Sequence, residues 1–184
     1  MAIRKILAEG DPRLRQKATR VRAVDASLRL LAEDMVQTML AAPGVGLAAP
    51  QVGVGRRLIV IHLPACYVAE GDPEHNYTLF NPEVVRASGR EVATEGCLSI
   101  PGWVGDVPRF TSITVKAMDL DERPVRIKAR DILARVLQHE IDHLNGILYI
   151  DRVEDESTLC KVNESEAVEC VDEEFLEAEL VGRT

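Results

Sequence analysis

The stretch Gln138-His139-Glu140-Ile141-Asp142-His143-Leu144-Asn145-Gly146 brings together the residue types best suited to chemistry. His139 and His143 are four residues apart, so on a helix they stand one turn apart on one face. Two imidazoles at that spacing can hold one metal ion. Glu140, beside the first of them, can reach water on such an ion and act as general base. His-Glu-x-x-His fixes only three of five positions, and the same pattern occurs on solvated helix faces. Ile141 and Leu144 argue for an interior position, where imidazoles and a carboxylate need partners. A catalytic metal of the zinc type needs three protein ligands and one open position. The segment after His143 contains no further histidine; it is rich in acidic residues, and Cys160 and Cys170 there have no spacing that suggests a metal. Upstream, Glu95-Gly96-Cys97-Leu98-Ser99 offers a thiol 42 residues before His139. A thiolate with two imidazoles makes a tetrahedral site with an open corner. The plainer reading of Cys97 is a small buried hydrophobe in a loop.

The elements that must position these groups follow from periodicity. The helix of the histidine pair is bounded by Asp131, as cap, and by Asn145-Gly146, with Ile132, Leu133, Val136, Leu137, Ile141 and Leu144 as its apolar residues. A second helix is predicted from a cap at Asp25 to about Leu40, with Leu28, Leu31, Met35, Val36, Met39 and Leu40 facing a core. Residues 1–24 read as an extended arm with a helical turn at Pro12–Gln16. Ala42–Gly53 is a Gly- and Pro-rich loop that follows a helix and lacks Gly-Lys-Ser/Thr, so it is not a phosphate loop. Strands are predicted at Arg57–Leu63, at Tyr77–Asn81 with Pro82 as its end, at Thr111–Met118 and at Val125–Ala129. Val84–Thr94 reads as a hairpin about Ser88-Gly89, and Pro101-Gly102 as a stop. The fold class is α+β: antiparallel β-sheets around a central metal-binding helix, with an N-terminal helix. Residues 1–151 form the catalytic domain and 152–184 an acidic tail. Within the tail, Asp172–Leu180 fits either a helix touching the body through Phe175, Leu176 and Leu180 or a solvated end.

The 184 residues, 46% apolar and 28% charged, suit one domain with a real core. The 22 basic and 30 acidic residues give a net charge of −8, which argues against direct nucleic-acid binding or an anionic membrane. No apolar run reaches the length of a membrane span, and the first residues lack the apolar centre of a secretion signal, so a cytoplasmic location is expected. Cys66, Cys97, Cys160 and Cys170 contain no C-x-x-C pair, and no disulfide framework is expected in a reducing compartment.

Three motifs occur in order: Gly44-Val45-Gly46-Leu47-Ala48-Ala49-Pro50-Gln51, Glu95-Gly96-Cys97-Leu98-Ser99 and Gln138-His139-Glu140-Ile141-Asp142-His143. Together they resemble the peptide deformylase family, over the chain from near its start to about Asp151. The resemblance implies removal of the formyl group from N-formylmethionine at the start of newly made polypeptides, with release of formate. It implies Cys97, His139 and His143 as ligands of one divalent metal ion per chain. Fe2+ is the metal expected by resemblance, with Ni2+ and Co2+ as active substitutes and Zn2+ as a poorer one; ligand softness alone suggests zinc. It further implies Glu140 as acid and base, the Leu98 N–H and the Gln51 amide as donors to the oxyanion, and Gly46 as the point where substrate backbone lies close. Val45, Ile132, Arg135 and Val136 are candidates for the methionine pocket, with Arg135 either narrowing its rim or holding substrate carbonyls. Trp103 is expected to pack or to line the cleft mouth, and Arg109 to pair with an acid. The partners are then formylated nascent peptides, met at the ribosome exit. Two other classes fit less fully. A His-Glu-x-x-His peptidase would need a third ligand downstream. A non-catalytic metal-binding or ribosome-associated module would have no need of Glu140 or Gln51.

Overall fold

The Asp25 side chain accepts a hydrogen bond from the Leu28 N–H and starts helix α1, Ala26–Ala41, where the cap and the apolar stripe predict it. The computed structural model describes residues 2–42, 44–67 and 74–162. After α1 come strands β1 (Gly46–Ala48), β2 (Leu58–Leu63), β3 (His75–Ser88), β4 (Glu91–Cys97), β5 (Ile100–Arg109), β6 (Ser112–Met118) and β7 (Pro124–Arg130). Helix α2 (Asp131–His143) follows, and a short strand β8 (Cys160–Lys161) closes the described chain. The strands form two sheets, β1-β2-β3-β6-β7 and β4-β5-β8, with every pairing antiparallel.

The larger sheet is covered on both faces. Ile59 and Ile61 of β2 point to α2 and pack with Leu133, Ala134, Leu137 and Ile141. Leu58 and Val60, of the other parity, point to α1 and pack with Leu31, Met35 and Met39. That is why the β2 sequence is a continuous apolar run rather than an alternating one. The smaller sheet has its own cluster of Leu7, Leu14, Ile100, Val107, Leu148 and Tyr149.

Four local readings are corrected. The Ser88-Gly89 segment does not close a hairpin. Over Glu83–Ser88 strand β3 pairs with β6, and β4 lies in the other sheet, where it pairs along its whole length with β5. Gly89, at φ +70°, turns the chain from one sheet to the other. Pro82 does not end its strand; it sits in a register shift between Phe80 and Glu83, and a bulge is where a strand tolerates proline. Pro101-Gly102 is likewise no stop but lies inside β5. Asp131 does not cap α2 but is its first residue, at φ +50°, and no side-chain cap bond forms there.

Part of the stretch assigned to the tail packs on the body. Val153 and Leu159 lie against the smaller sheet's cluster, and Cys160-Lys161 pairs with Trp103-Val104 of β5. The helix considered within Asp172–Leu180 lies outside the described residues. Among the described residues no helix is long and apolar enough to cross a membrane.

Candidate active site

Helix α2 is amphipathic, yet its polar stripe does not face water. Its apolar residues meet the larger sheet, while Arg135, His139 and Asp142, spaced i, i+4, i+7, meet partners on β4 and β5. Ten of its thirteen residues are buried. The smaller sheet brings in the thiol. Cys97 ends β4 and pairs with Ile100 across the two-residue turn Leu98-Ser99. The donor atoms of Cys97, His139 and His143 all lie within 4.8 Å of one another. Cys97 Sγ is 3.3 Å from His143 Nε2. A tetrahedral cation at ordinary metal–sulfur and metal–nitrogen distances needs such donors about 3.5 Å apart, so the set fits a metal ion. Two buried atoms beside it, Glu140 Oε2 and His143 Nδ1, have no hydrogen-bond partner among the described residues.

The carboxylate of Glu95 fixes the first imidazole. His139 donates from Nδ1 to Glu95 Oε2 at 2.9 Å, which sets the ring's orientation and leaves Nε2 for a ligand role. Arg109 grips the same carboxylate with two bonds, both 2.9 Å, and reaches Asp142 on α2. Asp142 in turn accepts from Arg152. Arg109 therefore pairs with acids, as its type predicts. Burial pushes the Glu95 carboxyl up, but the bonds from Arg109 and His139 outweigh it and hold its pKa at about 2. Burial also lowers His139, while the Cys97 sulfur and Glu95 on its two sides hold it well above the usual imidazole value. His143, deeply buried beside His139, is held well below that value. Glu140 is raised to about 7 by burial, so it can both accept and return a proton near neutral pH.

The glycine-rich loop folds into β1 and a 3₁₀ turn, Ala49–Val52. Gln51 accepts from the Ala48 N–H at 2.8 Å, which turns its amide N–H toward Ser99 Oγ at 3.2 Å and Cys97 Sγ at 3.6 Å. Gly46 has a reason the sequence did not reveal. A Cβ there would stand 2.4 Å from Glu140 Oε1, so the space that its missing side chain leaves is filled by Glu140. Leu98 packs over Gly44, where a Cβ would meet its Cδ1 at 2.7 Å.

Val45 and Ile132 are partly exposed and pack against the cluster that contains the buried Val136. Arg135 does not join them at a pocket rim. It is buried, and it donates to Glu95 and to the carbonyls of Glu91, Ala93 and Val107. Trp103 is 44% exposed on β5, opposite Lys161. The apolar cleft of about 390 Å³ between α1, β2–β3 and the β6–β7 turn does not reach these residues. Glu95 and Tyr149, whose ring stacks on His139 with centroids 6.3 Å apart, were not assigned roles from sequence. Glu95 could have been, because it lies within the Cys97 motif; Tyr149 gave no signal.

A thiol and two imidazoles at ligand spacing, with a buried carboxylate tuned near neutrality on the same helix, are equipped to split an acyl bond with water. On two antiparallel sheets wrapped around one helix, they define an α+β metallohydrolase. Residues 3–158 match the family described as polypeptide deformylase. The chain is 63% identical over 166 residues to a peptide deformylase of Thermomicrobium roseum, covering 90% of this chain and 94% of the relative. It is 45% identical to a peptide deformylase of Legionella pneumophila whose crystal structure superposes with a TM-score of 0.75, over 83% of this chain and 86% of that one. A peptide deformylase of Ehrlichia chaffeensis, solved in complex with actinonin, is 38% identical with a TM-score of 0.79, over 86% of this chain and 92% of that one. The chain belongs to the polypeptide deformylase family, and its reaction is removal of the N-formyl group from nascent peptides.

Proposed function

We propose that Cys97, His139 and His143 hold one divalent metal ion, and that Glu140, Gln51 and Leu98 carry out deformylation beside it. The observation that carries the reading is the convergence of the β4–β5 turn on α2. It sets the thiol 3.3 Å from His143, with a Glu140 carboxylate oxygen that has no partner among the described residues one residue from His139. The ion, when bound, supplies a Lewis acid that polarises the formyl carbonyl and acidifies water. Glu140 takes the proton of the attacking water and returns it to the leaving amine nitrogen. The Gln51 amide and the Leu98 N–H donate to the carbonyl oxygen as it gains charge. Gly46 keeps Glu140 in place by leaving room for it. Val45, Ile132 and Val136 supply the apolar surface for the methionine side chain. The formyl carbon bears only hydrogen, so a close-fitting site excludes larger acyl groups by size.

Fe2+ is the metal proposed for the working enzyme, with Ni2+ and Co2+ as active substitutes and Zn2+ as a weaker one; a mixed thiolate–imidazole set accepts all four. The proposed place of action is the cytoplasm, at the ribosome exit where formylated chains emerge. The test is anaerobic purification, metal analysis and formate release from formyl-Met-Ala-Ser. Turnover with about one metal per chain is expected. Glu140→Gln should keep the metal and lose turnover by about 10²- to 10⁴-fold. Unchanged turnover in that variant would assign the proton transfer to another group.

A further inference from the structure

We propose that Arg135 is a positioning residue for the metal ligands, fixing strand β4 along α2 and thereby the distance from Cys97 to the two imidazoles. The inference rests on the metal-site reading above. Arg135 stands one turn before His139 on α2. Its Nη1 donates to Glu95 Oε1 at 3.0 Å, to the Ala93 carbonyl at 3.2 Å and to the Val107 carbonyl at 2.9 Å. Its Nη2 donates to the Glu91 carbonyl at 3.2 Å. Ala93 and Val107 face each other across the β4–β5 ladder, so one guanidinium takes a carbonyl from each strand of a register pair.

The contacts on β4 fall at 91, 93 and 95, and the next residue of that parity is Cys97. A shift of β4 along α2 would break all of these bonds and move the thiol by the same step. Glu95 is held from two sides. Arg135 shares Oε1 with Arg109, and Arg109 shares Oε2 with His139. Arg135 therefore sets both ends of the site, the thiol through the strand and the His139 ring through Glu95. A planar fork with several donors suits this task, and the single point charge of lysine does not. Its side chain is only 9% exposed, and a buried cation needs partners such as the Glu95 carboxylate and these carbonyls.

The test compares wild type, Arg135→Met and Arg135→Lys, each loaded anaerobically with cobalt. Three readouts are taken: cobalt affinity by chelator competition, the thiolate-to-cobalt absorption band, and KM and kcat for formyl-Met-Ala-Ser on the loaded fraction. Arg135→Met should bind cobalt about 10-fold more weakly, the low end of the range for losing a direct partner of a ligand, because Arg135 reaches His139 only through Glu95. Its thiolate band should shift or weaken, and its KM should stay within about twofold. Arg135→Lys should recover part of the affinity and carries the test if Arg135→Met does not fold. A raised KM with unchanged affinity and band would overturn the proposal in favour of substrate binding. A lowered melting temperature with unchanged affinity and band would overturn it in favour of a role in stability alone. If wild type itself bound no cobalt, the metal-site reading would fail first.

Discussion

Replacing Gly46 by alanine should separate stability from catalysis. The added Cβ would stand 2.4 Å from Glu140 Oε1 and 2.9 Å from its Cγ and Cδ. Ordinary contact begins at about 3.5 Å, so the carboxylate must retreat by about 1 Å. All three of these atoms belong to a side chain that can yield, so the fold should lose only about 1 kcal/mol, the low end for overpacking. For a chain of this size that is a melting-temperature drop of about 2–4 °C. A misplacement of about 1 Å at the reacting groups costs about a hundredfold in rate. The assay is formate release with metal content and melting temperature measured on the same preparation. The expected result is near-normal metal, a small loss in melting temperature and turnover lowered by about 10². Turnover within about threefold of wild type, at equal metal content, would refute the reasoning, because Glu140 would then tolerate displacement.

Gly146→Ala should behave in the opposite way. Its φ is +75°, and a Cβ there would meet the Arg15 carbonyl oxygen at 2.4 Å and its carbon at 2.7 Å, backbone that cannot step aside. Strain and overpacking together should cost about 3 kcal/mol, or about 6–12 °C in melting temperature, and a drop under about 2 °C would reject this account. Glu95 predicts an acid limb. Its carboxyl sits at about 2 in the fold against 4.5 ordinarily, so its contribution is full above pH 4.5 and is lost as pH falls toward 2. The shift corresponds to about 3 kcal/mol, so urea midpoints should fall between pH 5 and 3, and Glu95→Gln should flatten that fall. An unchanged slope in Glu95→Gln would place the acid sensitivity elsewhere.

The sequence made the chemistry more legible than the wiring. His139 and His143 were readable because helical spacing alone puts them together, and α1 because Asp25 and the apolar stripe agree. Cys97 is reached by counting ligands, since no histidine follows His143 and the best soft ligand lies upstream. The Glu95–Arg109–Asp142 network was not readable. It joins β4, β5 and α2, and pairings of that range leave no local pattern. Arg135 shows the same limit from the other side. Helical spacing put it on the face of His139, but only the sheet topology reveals that β4 covers that face. Ser88-Gly89 looks like a hairpin turn because turn chemistry is local, whereas the pairing of β3 with β6 and of β4 with β5 joins strands that the sequence does not place side by side.

The enclosure of α2 between two sheets has a consequence for assembly. The larger sheet with α2 holds two of the donors, and the smaller sheet holds the third. No partial fold with only one sheet in place contains the full set. The three donors therefore come within reach of one another only when both sheets have closed over the helix, so the complete donor set is a mark of the finished fold.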